Sequence, residues 1–293
     1  MFIAQDKGYF RDAGLDVELK FFDAAQPIAV ATTSGDVDFG ITAFTAGLYN
    51  LAGKGTLKVI GGMSREKAGY PLIGYFASNN AYAAGLKTPK DLAGKRVAVT
   101  RGTDPHIFLV RALLGAGLTE KDITTVLLQH ADGKTALIRG DVDAWAGLDP
   151  LMAASELQAG SRLLYRNRDF NSYSVLSVTE KFAKEQPELI KQVIAAYEQA
   201  RQWAIANPDA LAQLLADEAK LPLEVAKLQL SRTDFSNPQP GAEHIKALKA
   251  AAPILLDEQL VRPGTDVAQV VDQLIQPQLA AKVIGQSVAK AGN

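Results

Sequence analysis

The chain has 293 residues, enough for two domains of ordinary size or one large one. Hydrophobic residues make up 47% and charged residues 22%, ordinary globular values that exclude a disordered or fibrous chain. With 31 Lys and Arg against 32 Asp and Glu, the formal charge is −1, so no basic surplus attracts nucleic acid or anionic lipid, and no apolar run reaches the 18 residues of a membrane span.

Cysteine is missing from the sequence, which removes thiol nucleophiles, iron–sulfur ligation and disulfides together. A core of this size needs no disulfide staples, so the count fits a cytosolic or an exported protein. Met1-Phe2-Ile3-Ala4-Gln5-Asp6-Lys7 lacks the basic-then-apolar order of a cleavable signal peptide.

Helical and strand patterns alternate through the first 150 residues. Phe2 to Ala13 reads as a helix with Ile3, Tyr9 and Phe10 on its apolar face, and Gly14 stands where a left-handed cap is wanted. Leu15-Asp16-Val17-Glu18-Leu19 alternates as a half-buried strand does. Pro27 to Ser34 is a short helix ended by Gly35, and Val37–Ile41 a strand. A helix over Phe44–Ala52 and a strand over Leu57–Gly61 follow.

The same grammar then recurs. Thr88 caps a turn that opens with Pro89. Arg96–Val99 is a strand, Pro105–Ala116 a helix capped by Gly117, and Thr125–Leu128 a strand. Gly133–Ile138 is a helix, and Val142–Trp145 a strand. Gly-Asp-Val-Asp occurs at Gly35–Asp38 and again at Gly140–Asp143, each time between a short helix and a strand, which points to two similar α/β halves.

Aligning the halves exposes a gap. The second half opens with the Arg96–Val99 strand, while the first opens directly on its helix. A parallel α/β unit needs that inner strand for its neighbours to pair on. Either the first lobe is built differently, or the chain begins one element late.

Pro71–Ala77 and Ser172–Val178 resemble linker strands crossing between lobes. From Thr179 onward the pattern is almost all helix, with Leu189, Val193, Tyr197 and Ala200 spaced as one face and Trp203 continuing the stripe as core. This tail is expected to finish the core of the first lobe. The resulting division is 1–76 for the first part of lobe 1, 77–173 for lobe 2, and 174–293 for the return to lobe 1.

Ligands of open α/β sheets bind beyond the carboxyl ends of parallel strands. The residues following the predicted strands are therefore the candidates: Thr42, Ala43 and Phe44; Ser64 and Arg65; Gly102, Thr103, Asp104 and His106; His130; and Trp145 with Asp149. Gly102 lets backbone approach a ligand, Thr103 offers a hydroxyl, and Asp104 before Pro105 suits an N-cap. His106 either donates to a ligand or packs on the first helical turn. His130 has the weaker claim. Asp149 before Pro150 receives a ligand amine, orders its loop, or caps the next helix. Arg65 suits a carboxylate or sulfonate by bidentate geometry, with a surface ion pair as the plainer role. No pair of histidines has metal-ligand spacing. Nucleophile-elbow, phosphate-loop and dinucleotide motifs do not occur, and no cofactor is implied.

FIAQDKGYFRDAGLDVEL at Phe2–Leu19, SGDVDFG at Ser34–Gly40, LAGKRVAVTRG at Leu92–Gly102, RALLGAG at Arg111–Gly117 and GDVDAWAGLDP at Gly140–Pro150 together resemble the periplasmic solute-binding proteins of ABC importers. Within them the closest group handles aliphatic sulfonates, with relatives for taurine, nitrate and thiamine-precursor pyrimidines, the NMT1/THI5-like superfamily. Leu260–Pro263 and Gln276–Leu279 resemble the C-terminal end of the sulfonate-binding members. The resemblance implies a two-lobed, type II periplasmic-binding-protein fold, each lobe a parallel-dominated sheet flanked by helices, with two crossing hinge strands. It implies capture of a small polar organic solute by hinge closure, a membrane permease as partner, a monomer and a periplasmic location, with neither a membrane span nor a nucleic-acid partner in this chain. Phe44, Asp104 and Leu148 depart from the residues usual in relatives at those positions. The family also carries a strand before the Phe2 helix, which matches the gap between the halves. Two other classes share the scaffold. The related pyrimidine synthases depend on a cysteine-rich segment and a pyridoxal cofactor, which a chain without cysteine does not match. A regulator would need a helix-turn-helix, and none is found.

Overall fold

The computed structural model describes residues 1–281 other than 23–24, 44, 46–47, 49, 51, 54, 67–72, 168–169, 171–172, 276–277 and 279–280, with the backbone alone described at 62–66, 73–76 and 243. The first stretch runs α1 (Phe2–Asp6), α2 (Tyr9–Asp12), α3 (Ala25–Ser34), β1 (Gly40–Ala43) and β2 (Leu57–Glu66). The middle runs β3 (Ile73–Ala77), α4 (Asn79–Ala83), β4 (Arg96–Val99), α5 (Asp104–Gly115), β5 (Thr124–Leu127), α6 (His130–Arg139), β6 (Ala144–Leu148), α7 (Leu151–Ala159) and β7 (Arg162–Tyr165). The last third runs β8 (Tyr173–Thr179), α8 (Glu180–Glu185), α9 (Pro187–Ala206), α10 (Pro208–Ala219), α11 (Leu223–Ser231), β9 (Thr233–Asp234), α12 (Ala242–Asp257) and α13 (Val267–Leu274). Among the described residues no helix is long and apolar enough to cross a membrane.

These elements form two units. Unit 1 comprises Met1–Arg65, Tyr173–Leu221 and Asp234–Asn293; unit 2 comprises Glu66–Ser172 and Pro222–Thr233. The first crossing therefore falls at Arg65 rather than at residue 76, because β2 runs five residues beyond the predicted Gly61. Ile73–Ala77, expected as a crossing strand, is instead β3, an inner strand of unit 2 paired antiparallel with β6 and β7. Pro222–Thr233, expected in lobe 1 with the rest of the tail, belongs to unit 2, where α11 packs on α7.

Several local expectations shift for identifiable reasons. The helix predicted over Phe2–Ala13 is two, because Gly8 adopts φ +74° and interrupts the backbone ladder. Gly14, Gly35 and Gly117 do end their helices in the left-handed region. Leu15–Leu19 keeps its alternation of half-buried and exposed residues, yet forms no strand ladder among the described residues. The helix expected over Phe44–Ala52 lies partly outside the described residues, as does the Gln276–Leu279 tail.

Unit 1 holds the sheet β1-β8-β2-β9, in which β8 runs antiparallel to both β1 and β2. The sheets are thus not both parallel-dominated as expected: in unit 2 the order is β5-β4-β6-β3-β7, evenly mixed, with β4 parallel to β5 and β6 and β3 antiparallel to β6 and β7. Helices α5 and α6 make the crossovers that parallel pairing needs. Val97, Ala98 and Val99 of β4 are all fully buried, the continuous apolar run of a strand covered on both faces. Val97 and Val99 meet Phe108, Leu109, Ala112 and Leu113 of α5. On the opposite face, Ala98 packs with Trp145, Leu137 and Met152.

Two glycines make the space for Trp145. A Cβ on Gly133 would lie 2.7 Å from the indole, and one on Gly147 2.3 Å from it. Gly147→Ala is therefore expected to destabilise unit 2 by about 1–3 kcal/mol through overpacking. Gly115, at the end of α5 with open space around it, should gain up to about 1 kcal/mol on replacement by Ala. Urea unfolding midpoints of the two variants check this opposition of sign.

Candidate functional site

In unit 2 the turn after β4 is held from within. Gly102 takes φ +75°, which a glycine adopts without strain. Thr103 Oγ1 donates to the Thr100 carbonyl at 2.7 Å, and Thr100 Oγ1 to the Leu128 carbonyl at 2.8 Å. Helix α5 begins at Asp104, with Thr103 in the cap position but making no side-chain cap bond. Asp104 thus takes the first helical position rather than the N-cap position expected of it.

His106 is fully buried and occupied at both ring nitrogens. The Gly102 amide donates to Nδ1 at 3.1 Å, and Nε2 lies 3.1 Å from Glu120 Oε1. With Nδ1 accepting, the ring proton sits on Nε2 and is donated to the carboxylate. Of the two roles left open in the sequence, the structure selects packing. His106 ties the Thr100–Thr103 turn to the Glu120–Asp122 3₁₀ turn.

His130 is different. It opens α6, is half-buried, and places Nδ1 3.2 Å from Thr100 Oγ1. The Thr100 proton is already given to Leu128, so Nδ1 must donate. This leaves Nε2 as an acceptor. Burial pushes the imidazole below its ordinary range and keeps it neutral.

Trp145 and Asp149 belong to the interior of unit 2. Trp145 is fully buried between Ala98 and Met152. Asp149 precedes a cis bond to Pro150 and accepts from the Ala153 amide at 2.8 Å, capping α7. Its other oxygen lies 3.5 Å from Nη1 of Arg232, whose Nη2 pairs with Glu156. Sequence reading missed Arg232, which stands 83 positions from Asp149 at the end of α11; no local pattern marks it. Asp149 therefore acts as helix cap and internal counter-ion.

In unit 1 the strand register gathers the other candidates. Ala43 stands opposite Ser174 of β8, and Ser174 opposite Ser64 of β2. Thr42 is opposite Val175, and Arg65 opposite Tyr173. The row Ala43–Ser174–Ser64 crosses three strands at one end of the sheet, about 10 Å wide at ordinary strand spacing. Thr42 is buried, and its hydroxyl has no hydrogen-bond partner among the described residues. Ser174 was missed as a site residue, although it lies in the stretch singled out as a crossing strand. The side chains of Ser64 and Arg65, and all of Phe44, lie outside the described residues.

The chain thus pairs two α/β units connected by repeated crossings, the periplasmic-binding-protein fold. It aligns with the crystal structure of the periplasmic aliphatic sulphonate binding protein SsuA from Escherichia coli at TM-score 0.82 and 27% identity, over 95% of this chain and 89% of that one. A family model described as NMT1/THI5 like matches residues 1–211, and the chain belongs to that family. An Escherichia coli (strain K12) protein named for binding aliphatic sulfonates is 30% identical over 251 residues, 85% of this chain and 76% of its own length. A more distant relative is an enzyme: the 4-amino-5-hydroxymethyl-2-methylpyrimidine phosphate synthase of Aspergillus parasiticus, 24% identical over 72% of this chain and 64% of its own length.

The buried Asp149 predicts a pH effect. Desolvation, offset in part by Arg232, raises its carboxyl to about 6. The folded state then binds the proton more tightly than the unfolded chain, so this group's contribution is complete below about pH 4 and is lost as pH rises through about 6. Asp149→Asn should remove a stability change on the order of 2 kcal/mol across that window, measured as unfolding free energy at pH 4, 5, 6 and 7. An unchanged slope contradicts the assignment.

Proposed function

We propose that the chain is the solute-binding subunit of an ABC importer. In this reading it captures a small organic anion of the aliphatic sulfonate type, its two units close on the solute, and the closed form is handed to a membrane permease. The observation that carries the reading is the structural likeness to the Escherichia coli sulphonate-binding protein over nearly the whole of both chains, together with 30% sequence identity to an Escherichia coli protein named for binding aliphatic sulfonates. The proposed setting is the periplasm, and the proposed state a monomer.

The chemistry of the candidates fits an anion with an apolar tail. A sulfonate presents three acceptor oxygens and no donor, so it calls for hydroxyls, backbone amides and one fixed cation. Unit 1 offers Ala43, Ser174 and Ser64 along one row and the Thr42 hydroxyl one position back along β1, with Arg65 as the cation. Unit 2 offers the start of α5, where the helix dipole favours negative charge, on a turn whose Gly102 amide is already given to His106. Asp104 opposes an anion at that end, which leaves the main charge contact to Arg65. His106, Trp145 and Asp149, engaged within unit 2, act in this reading as supports. Closure is driven by contacts that the solute makes only with the closed form.

Thermal unfolding against ethanesulfonate, taurine, propionate, nitrate and a hydroxymethylpyrimidine tests the reading. A sulfonate at a hundred times its Kd should stabilise by about 2.7 kcal/mol, a rise of roughly 5–10 °C for a chain of this size. Arg65→Met should weaken that ligand at least tenfold. A folded protein that responds to none of the panel, or to the pyrimidine alone, overturns the sulfonate reading.

A further inference from the structure

Beyond the two crossing strands expected from the sequence, the chain passes between the units at two further places. It leaves unit 1 after Leu221, spends Pro222–Thr233 in unit 2, and re-enters unit 1 at Asp234. Within that excursion α11 is firmly seated. Val225 and Ala226 are fully buried, and Val225 packs with Ala153 and Ala154 of α7. The return is abrupt. Helix α11 ends at Ser231, and Thr233–Asp234 form β9, which stands beside β2 in the sheet of unit 1. β2 and β8 carry the other crossings, at Arg65/Glu66 and Ser172/Tyr173, and Arg65 stands opposite Tyr173. Three neighbouring strands thus each carry a passage from one unit to the other.

A buried arginine holds the chain on each side of this return. On the unit 2 side, Arg232 pairs through Nη2 with Glu156 of α7, and its Nη1 lies 3.5 Å from Asp149, which caps α7. The Thr233 hydroxyl donates to the Gln229 carbonyl at 3.1 Å and secures the last turn of α11. On the unit 1 side, Arg201 of α9 donates to both oxygens of the buried Glu198, at 2.7 and 2.6 Å. Gln202 adds a bond to the same carboxylate at 2.9 Å. A guanidinium held in this fork keeps one arm in a fixed direction. That arm, Nη1, donates to the Phe235 carbonyl at 2.5 Å.

We propose that Thr233–Asp234 is a two-residue hinge, clamped by Arg232 to unit 2 and by Arg201 to unit 1, and that the two arginines limit how freely the units turn about it. The stretch between the clamps is too short to absorb motion by bending. Any turn at this crossing must be taken up by the torsions of Thr233 and Asp234. Breaking a buried, hydrogen-bonded charge pair costs far more than breaking an exposed one, so the clamps hold while the joint between them turns. The inference concerns the joint itself and is independent of which solute the chain binds.

The test uses spin labels, which the lack of native cysteine makes specific. Lys181→Cys in unit 1 and Arg139→Cys in unit 2, both at exposed positions, carry the labels, and the distribution of distances between them is read without solute. Arg232→Met and Arg201→Met should each roughly double its width, because either change frees one side of the joint. Arg96→Met, which removes an ion pair with Asp143 inside unit 2, should leave the width of the parent. Equal widths in all four proteins overturn the proposal, and so does equal broadening by Arg96→Met. Should Arg232→Met fail to fold, the triple variant Asp149→Asn, Glu156→Gln, Arg232→Met removes the buried carboxylates together with their cation and is read in the same way. Amide hydrogen exchange of the parent is an independent check. The α11 amides should exchange as slowly as those of α7, and opening of α11 ahead of α7 overturns the clamp.

Discussion

A strand buried on both faces must give its amides and carbonyls to a neighbour on each side, because water cannot reach them. In unit 2, β4 satisfies this condition with β5 and β6, and much else follows from it. Its three buried residues set the two core layers, one against α5 and one against Trp145. Its carboxyl end fixes where the Thr100–Thr103 turn begins.

Around the turn that follows β4, polar groups are spent on holding backbone. Thr100, Thr103 and His106 each bind a backbone atom of a neighbouring segment. Such bonds contribute about 1 kcal/mol apiece, and losing one partner in a buried setting costs more. A loop stiffened in this way holds the start of α5 in one conformation. The buried charges work similarly. Arg232 brings the end of α11 to Asp149 and Glu156, so a segment that returns late in the chain is anchored to unit 2. Removing one member of such a set leaves a buried charge without its counter-ion.

The relatives of this chain include proteins named for binding and one named as an enzyme, which shows how little the scaffold alone says about chemistry. In this chain the residues that looked most reactive prove to be the most occupied. His106 has no ring nitrogen to spare, and the Asp149 carboxyl caps a helix. With no cysteine in the sequence, thiol chemistry is closed to this chain.

Local signals carried the order of elements. Glycines at the left-handed positions, the Thr88 turn and the Arg96–Val99 strand were readable because each depends on backbone preferences a few residues wide. The two-half repeat was readable for the same reason. Boundaries were less so. Gly8 breaks the first helix although a side-chain pattern runs through it, and the crossing point moved to Arg65 because strand length is set by the partner, here β8. The candidate site was argued from strand ends, and the roles of its residues were not legible there. Whether His106 faces a ligand or Glu120, whether Asp149 meets an amine or Arg232, and that Ser174 joins Ala43 and Ser64 in one row are all contacts between residues far apart in sequence. Sequence by itself determined the family, the α/β class and the repeated architecture, since these rest on short-range patterning. Only tertiary structure decided which polar groups are already satisfied, because a hydrogen bond's second partner is chosen by the fold.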